Sequence, residues 1–319
     1  MVSNKESVNK VESVLQIAKK IIRRLRKKKL WDTEVFPSVI VMELTNYCNL
    51  RCSMCAHQYM TRNQGQMDKQ LAMKVLDEIA VVNRNARVWM NGYGESLIIR
   101  KAVLYEVIAY AKEKGIRDVV LNSNGILLDE EAARCLVHAG LDQIFIGIDS
   151  CTPETYQKLR VGGDYQKVVR NVKQALEIVR NSQAEKPIVT VQLIEMEENQ
   201  HEKEDFIAYW KEQGARVRIQ PKVSWLRAVE AKKLMSTDRY PCHWVMHCAA
   251  ILYDGRVTLC GGDYEPHFVA GNVIDESLQS IWQGKLREIR ELHRVGNYES
   301  LPPVCRDCKD WQAIGGQFY

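Results

Sequence analysis

Three cysteines stand close together in Cys48-Asn-Leu-Arg-Cys52-Ser-Met-Cys55, a C-x3-C-x2-C run. Such a run offers three thiolates to one cluster. A cubane [4Fe–4S] cluster takes a ligand on each of its four irons, so three cysteines leave one iron open to a chelating small molecule. Zinc is the competing reading, and it favours paired C-x2-C units with four protein ligands. No fourth Cys or His stands at knuckle spacing, and His57 sits on the wrong side for a compact four-ligand loop. A second group lies further along. Cys242, Gly255 and Cys260 form C-x12-G-x4-C, and Cys305-Arg-Asp-Cys308 adds C-x2-C. Four thiolates would close a [4Fe–4S] site with no open iron, although zinc can also be held by such a set.

The first run follows Pro37-Ser-Val-Ile-Val-Met-Glu-Leu44, an apolar stretch that reads as a strand. From there the pattern alternates. Strands are predicted at 38–44, 87–91, 117–122, 143–148, 188–194 and 216–221, with helices near 68–83, 101–114, 129–139, 164–181 and 200–213. Gly115, Gly140 and Gly214 fall at expected helix ends. Repeated βα units imply an α/β fold with a parallel sheet and helices outside it. Chemistry should gather at the carboxyl ends of the strands. From about residue 236 the alternation stops and the chain reads as a smaller separate module. There Tyr253-Asp-Gly-Arg-Val-Thr-Leu-Cys260 predicts a hairpin turning at Asp-Gly.

Composition bounds the rest. The 319 residues suffice for one large domain and a small one. No run of about 20 apolar residues predicts a membrane span, and no secretory signal is visible, so the cytosol is the expected compartment. In that setting ten cysteines point to metal rather than disulfides. The net charge of +5 is concentrated in residues 19–29, which hold no acid. Val8, Val11, Leu15, Ala18, Ile22 and Leu25 recur at helical steps just there. A basic amphipathic helix over residues 1–35 can touch a membrane surface or an acidic partner, or pack its stripe on the main body. Nucleic acid is not expected, since aromatic interleaving and a recognisable motif are lacking.

The cysteine run after a first strand, in a chain of repeated βα units, resembles the radical S-adenosylmethionine (SAM) superfamily. The resemblance implies a partial (βα)6 barrel over residues 36–235. It also implies SAM held by its amino and carboxylate groups on the open iron of the cluster of Cys48, Cys52 and Cys55. An electron from that cluster then yields a 5′-deoxyadenosyl radical that abstracts hydrogen from a substrate C–H bond. The residue before the third cysteine is commonly aromatic in the family, and Met54 keeps only the apolar cover. Asn91-Gly92-Tyr93-Gly94-Glu95-Ser96 is similar to the family's Gly-Gly-Glu-Pro-like segment, which meets the SAM amino group. Gly94 and Glu95 match; Tyr93 and Ser96 depart. Asn122-Ser123-Asn124-Gly125 resembles the Thr-Asn-Gly-type turn and points to Ser123 and Asn124, though Asn-Gly is also a common turn. Gly147-Ile148-Asp149-Ser150 is similar to Ser-x-Asp, with Asp149 matching and Gly147 departing. Arg160 sits where similar enzymes often keep an arginine for the SAM carboxylate; otherwise it is a surface arginine. Gln192 is a candidate to face the adenosine, and Glu195 to face substrate.

Residues 236–319 resemble the SPASM/twitch group in its shorter form, with one auxiliary [4Fe–4S] cluster on Cys242, Cys260, Cys305 and Cys308. Three cysteines remain. Cys135 reads as a core residue and Cys151 lies at the barrel mouth. Cys248 lies between two auxiliary ligands. In similar epimerases a cysteine donates the hydrogen atom that quenches the substrate radical. Otherwise Cys248 is a structural thiol or a ligand in place of Cys242.

The resemblance extends to sugar- and aminoglycoside-modifying dehydrogenases and epimerases. The first expectation is therefore an oxidoreductase or epimerase acting at a carbinol carbon of a carbohydrate, cyclitol or aminoglycoside-type substrate. It would depend on an external electron donor of flavodoxin or ferredoxin type. The second is epimerisation or crosslinking of a ribosomally made peptide. Many such enzymes carry an N-terminal recognition domain of roughly 80 residues, whereas about 36 precede the first strand here. The third is a basic scaffold or nucleic-acid-binding protein with structural zinc.

Overall fold

All six expected strands form in the computed structural model, which describes residues 33–182, 185–230 and 239–314. The basic helix expected at residues 1–35 lies almost wholly outside the described residues. The strands are β1 Val39–Met42, β2 Arg87–Trp89, β3 Asp118–Ser123, β4 Gln143–Gly147, β5 Ile188–Glu195 and β6 Arg216–Pro221. Each pairs in parallel with its predecessor, so they stand in chain order across the sheet. Crossovers that always step the same way, with the same hand, put every helix on one face. The sheet then curls around its other face, as in α/β barrels.

Residue alternation separates the two faces. Ile40, Met42, Val88, Val119, Leu121, Ile144, Ile146, Val191 and Leu193 point into the core beneath the helices. Their neighbours Val41, Trp89, Asn122, Gln192 and Arg218 point inward to a cavity. Capping side chains start the helices. Asp68, Asp129 and Asp164 each accept a backbone N–H in the first turns of Lys69–Val82, Glu130–His138 and Tyr165–Asn181. Two details differ from expectation. The stretch 101–114 opens with a π-helical turn at Arg100–Leu104 before Tyr105–Glu113. An additional helix, Pro153–Leu159, follows β4.

The C-terminal module continues the sheet of the barrel. Strand β7, Cys248–Ile251, pairs in parallel with β1, and β8 Arg256–Thr258 and β9 Val269–Asn272 extend the sheet antiparallel. Among the described residues one nine-stranded sheet therefore runs β6-β5-β4-β3-β2-β1-β7-β8-β9. Ala249, Ile251, Val257, Ile281 and Trp282 join the same apolar core as the barrel. The hairpin between β7 and β8 turns at Asp254-Gly255 as predicted, with Gly255 at φ 85°.

Candidate active site

The loop leaving β1 is docked rather than free. Arg51 and Ser53 donate their backbone N–H groups to the carbonyls of Val161 and Leu159, 2.9 Å each. Leu50, Cys52 and Met54 are buried against Leu159 and Met196, with Cys48 and Cys55 at the edge of that cluster. Burial raises the thiol pKa of Cys48 and pushes Cys55 up to about 12, and each is raised further by the negative charge of its neighbours in the set. The three sulfurs thus share one small volume. Among the described residues no three His, Cys, Asp or Glu side chains converge closely enough to hold one metal ion. A cubane takes its cysteines on separate irons, so three thiols that share a pocket without meeting at a point suit it. Coordination also supplies the positive charge that buried thiolates need.

Around these thiols the strand ends lock together. Gly94 passes so close to Thr45 and Asn46 that a Cβ would strike the Thr45 carbonyl. The Glu95 carboxylate accepts N–H bonds from Asn124 at 2.7 Å and Leu97 at 3.1 Å, and the Ser123 hydroxyl at 3.1 Å. Burial raises its pKa and these bonds oppose the rise. Asn124 reaches on to Asn49, between the first two cysteines, at 2.8 Å. Gln192 donates to Asn122 at 2.6 Å. Arg160 donates through Nε to Asp149 at 2.6 Å and points Nη1 at the Cys52 sulfur, 3.6 Å away. Gly94, Glu95, Ser123, Asn124, Arg160 and Gln192 all line one cavity with Cys48, Cys52 and Cys55.

Asp149 does not join them. It is fully buried behind Arg160, at φ 63°, and also accepts the Ile194 N–H at 2.6 Å. It positions Arg160 instead of lining the cavity. Glu195 is likewise absent from the lining and pairs with Lys203 at 2.7 Å. Cys151 is not at the cavity either; its N–H donates to Glu202. Cys135 is half-buried on its helix and not part of the core cluster.

The second thiol set has its own apolar shell. Cys242, Cys260 and Cys305 are buried with Val245, Leu259, Ile289, Leu301 and Trp311, and Cys308 stands at the edge. Burial and neighbouring thiolates push Cys305 up to about 12 and Cys260 well above its ordinary value. His293 is fully buried between two ligand positions. The Cys242 N–H donates to its Nδ1 at 3.3 Å, which leaves the proton on Nε2, 3.3 Å from the Cys305 sulfur. Asp310 donates its N–H to the Cys308 sulfur at 3.3 Å. Three buried thiols and a half-buried fourth, wrapped in apolar groups with donors aimed at two sulfurs, fit a closed [4Fe–4S] site.

Aromatic residues connect the two sets. The Tyr93 hydroxyl donates to the Gly261 carbonyl at 3.1 Å, beside Cys260. Its phenol is raised first by burial, then by the charges of Cys260 and Cys55. Trp225 meets the Tyr93 ring edge-on at 5.4 Å and donates its indole N–H to the Met54 carbonyl at 2.9 Å. Trp225, Leu226 and Arg227 all have positive φ, and the Asp310 carboxylate holds the turn through Ser224 and Leu226 N–H groups at 2.7 and 3.1 Å. This 224–227 turn therefore straps the first cysteine loop to the second.

The cavity measures about 300 Å³. Cys248, Val39 and Arg87 lie side by side in register on β7, β1 and β2, at the amino ends of those strands. The first cysteine loop follows the carboxyl end of β1. Both ends line the same space, so the cavity has a sulfur-bearing ceiling and a floor carrying Cys248. Cys248 is 2 % exposed and stands outside the apolar cluster of the second set. Sequence reading missed Tyr93 and Trp225 as links between the sets, and missed the inward Arg87, Arg218 and Gln220. The alternation in Arg216-Val-Arg218-Ile-Gln220 was the available signal: a barrel strand with charge facing inward.

Residues 42–208 match the family described as the radical SAM superfamily, and residues 242–309 match the SPASM iron–sulfur cluster-binding domain. A probable GTP 3′,8-cyclase of Methanococcus maripaludis is 30% identical over 143 residues, and the match spans 43% of this chain and 45% of that protein. Among solved structures, BtrN in complex with AdoMet and 2-DOIA superposes with a TM-score of 0.60 at 16% identity, covering 86% of this chain and 93% of BtrN. Streptococcus suis SuiB bound to precursor peptide SuiA gives 0.67 at 13% identity, covering 88% and 72%. At such identities the likeness is one of fold.

Proposed function

This chain belongs to the radical SAM superfamily, and from that premise we propose that it epimerises a carbinol carbon of a carbohydrate, cyclitol or aminoglycoside-type substrate, with Cys248 as hydrogen-atom donor. Its cofactors are SAM and two [4Fe–4S] clusters. When bound, SAM supplies a 5′-deoxyadenosyl radical on receiving one electron from an external donor of ferredoxin or flavodoxin type. The observation that carries the reading is the place of Cys248: on the cavity floor, with the SAM-binding ceiling opposite. A substrate between them presents one face to each. The substrate hydrogen that this radical abstracts would leave from the face turned toward that ceiling. The Cys248 S–H bond then breaks and a new C–H bond forms on the opposite face, inverting the centre. The thiyl left behind would take a second electron from the same external donor and a proton from solvent to become a thiol again.

Burial suits Cys248 to this role. It pushes the thiol up to about 12, so the S–H stays intact at neutral pH. Asn122, Gln192 and Gln220 put amide groups on the same walls, where donors and acceptors can meet hydroxyls.

The test is turnover in deuterated water with candidate substrates, comparing the parent enzyme with Cys248→Ala. One solvent deuterium at an inverted carbon, lost in the variant, is expected. A ketone without deuterium in the parent would instead assign a dehydrogenase. Inversion within a peptide, with none in sugars or cyclitols, would assign the substrate class to peptides.

A further inference from the structure

We propose that His293 sets the reduction potential of the cluster on the second thiol set, raising it by donating an N–H bond to the Cys305 sulfur. This goes beyond the epimerase reading and holds for any substrate. The residue is placed by its helix. Leu286, Ile289, Arg290 and His293 form the buried stripe of Lys285–Val295, at steps of three and four residues. There the ring is fixed from two sides. The Cys242 N–H donates to Nδ1 at 3.3 Å, and Tyr298 meets the ring edge-on at 5.7 Å. An accepting Nδ1 puts the proton of the ring on Nε2, the nitrogen 3.3 Å from the Cys305 sulfur.

Two other sulfurs of the set take backbone donors: the Trp244 and Val245 N–H groups serve Cys242, and the Asp310 N–H serves Cys308. Groups of that kind are present whatever the sequence. His293 is a side chain, and a substitution removes its donor without touching the backbone. Four thiolates make a cluster anionic, and reduction adds one more negative charge. The apolar shell of Val245, Leu259, Ile289, Leu301 and Trp311 opposes that charge and lowers the potential. An N–H dipole aimed at a ligand sulfur stabilises the reduced form more than the oxidised form and raises it. Arg239 acts in the same sense. Its guanidinium lies 4.7 Å from the Tyr298 ring centre and donates to the Cys305 carbonyl at 2.8 Å, and its charge favours the thiolates of Cys242 and Cys305. Electron uptake at this site breaks no bond and moves no proton. One electron enters from the external donor, and Nε2 keeps its hydrogen. The imidazole thus lets a buried site hold an electron that its apolar shell disfavours.

Anaerobic titration of the reconstituted holoenzyme with dithionite, followed by electron paramagnetic resonance at one fixed pH, tests this. The second cluster is the one whose signal does not change when SAM is added. Wild type, His293→Phe, His293→Gln and the exposed control His138→Gln are compared, with iron analysis checking that each holds both clusters. His293→Phe should lower the second potential by at least a tenfold change in the one-electron equilibrium, about 59 mV, and leave the first unmoved. His293→Gln, whose amide can donate to the same sulfur, should fall between. The control should match wild type. An unchanged second potential in His293→Phe, or an equal shift at both clusters, overturns the proposal. Should the phenylalanine variant lose its second cluster, wild-type enzyme labelled with nitrogen-15 histidine decides. Pulsed resonance on the reduced second cluster should show a weak nitrogen coupling and an exchangeable proton, with the nitrogen coupling lost in His293→Gln. No such coupling overturns the proposal. A coupling as strong as direct ligation also overturns it, by making His293 an iron ligand.

Discussion

Cys48 and Cys55 ionise reluctantly because burial and the charge of neighbouring thiolates oppose their thiolates, so iron must displace their protons to bind. The second set stands in its own shell, and the two sites should load independently. Replacing Cys48, Cys52 and Cys55 together with alanine should lower iron from about eight to about four per chain, measured by iron and sulfide assay after anaerobic reconstitution. Arg160 joins Asp149 to the Cys52 sulfur, and a point-charge amine cannot reproduce its fork. Arg160→Lys should keep the buried charge balanced yet weaken SAM binding by about ten- to a hundredfold, the range for one charge-assisted bond. Equilibrium dialysis against labelled SAM reads this directly. At this scale the sequence was legible where a side chain's chemistry is its function, as for the cysteines. It was less so where function is a relay, since nothing in the run Gly147-Ile148-Asp149 says that the carboxylate faces an arginine and not a cofactor.

Among the elements, the loop after β4 depends on one carboxylate. Glu202 accepts bonds from the hydroxyls of Thr152 and Thr155 at 2.6 Å each and from the Cys151 N–H. Burial raises its pKa, but these three bonds outweigh it and the net shift is downward. A carboxyl depressed in the folded state stabilises above its unfolded value, about 4.3, and that contribution is lost as pH falls through the lower folded value. Glu202→Gln should cost about 1.5–3 kcal/mol at pH 7, with the gap to wild type narrowing as pH drops below about 4; urea unfolding at a series of pH values measures it. The helix beside this loop escaped the sequence reading because seven residues show too little period. Its signal was Thr152-Pro153, a capping hydroxyl followed by proline at the first helical position. The six barrel strands were legible because each repeats the same alternation before a helix. The pairing of β7 on β1 was not, since an apolar strand does not name its partner some 200 residues away.

Across the whole molecule, Arg62 and Glu43 join what the chain order separates. Their ion pair, 2.7 and 2.6 Å long, is 5 % and 1 % exposed. Glu43 follows β1, and Arg62 also donates to the Tyr264 carbonyl at 2.8 Å, in the C-terminal segment. Arg62→Ala leaves a buried carboxylate without its partner and should cost about 3–5 kcal/mol. Because the sheet and core are shared, both segments should melt together in one transition, which calorimetry can follow. A chain cut after residue 230 would bare the β1 edge and the apolar side chains that Ala249 and Ile251 cover. It should self-associate on a sizing column. The strand β1 also divides labour along its length. In the proposed function one end would deliver a reactive species that is the same whatever the target, while the other end, where Val39 stands between Cys248 and Arg87, would decide what is presented to it and from which side. Retargeting the enzyme therefore becomes a matter of recutting a few inward positions at the base, with the ignition machinery above left as it stands.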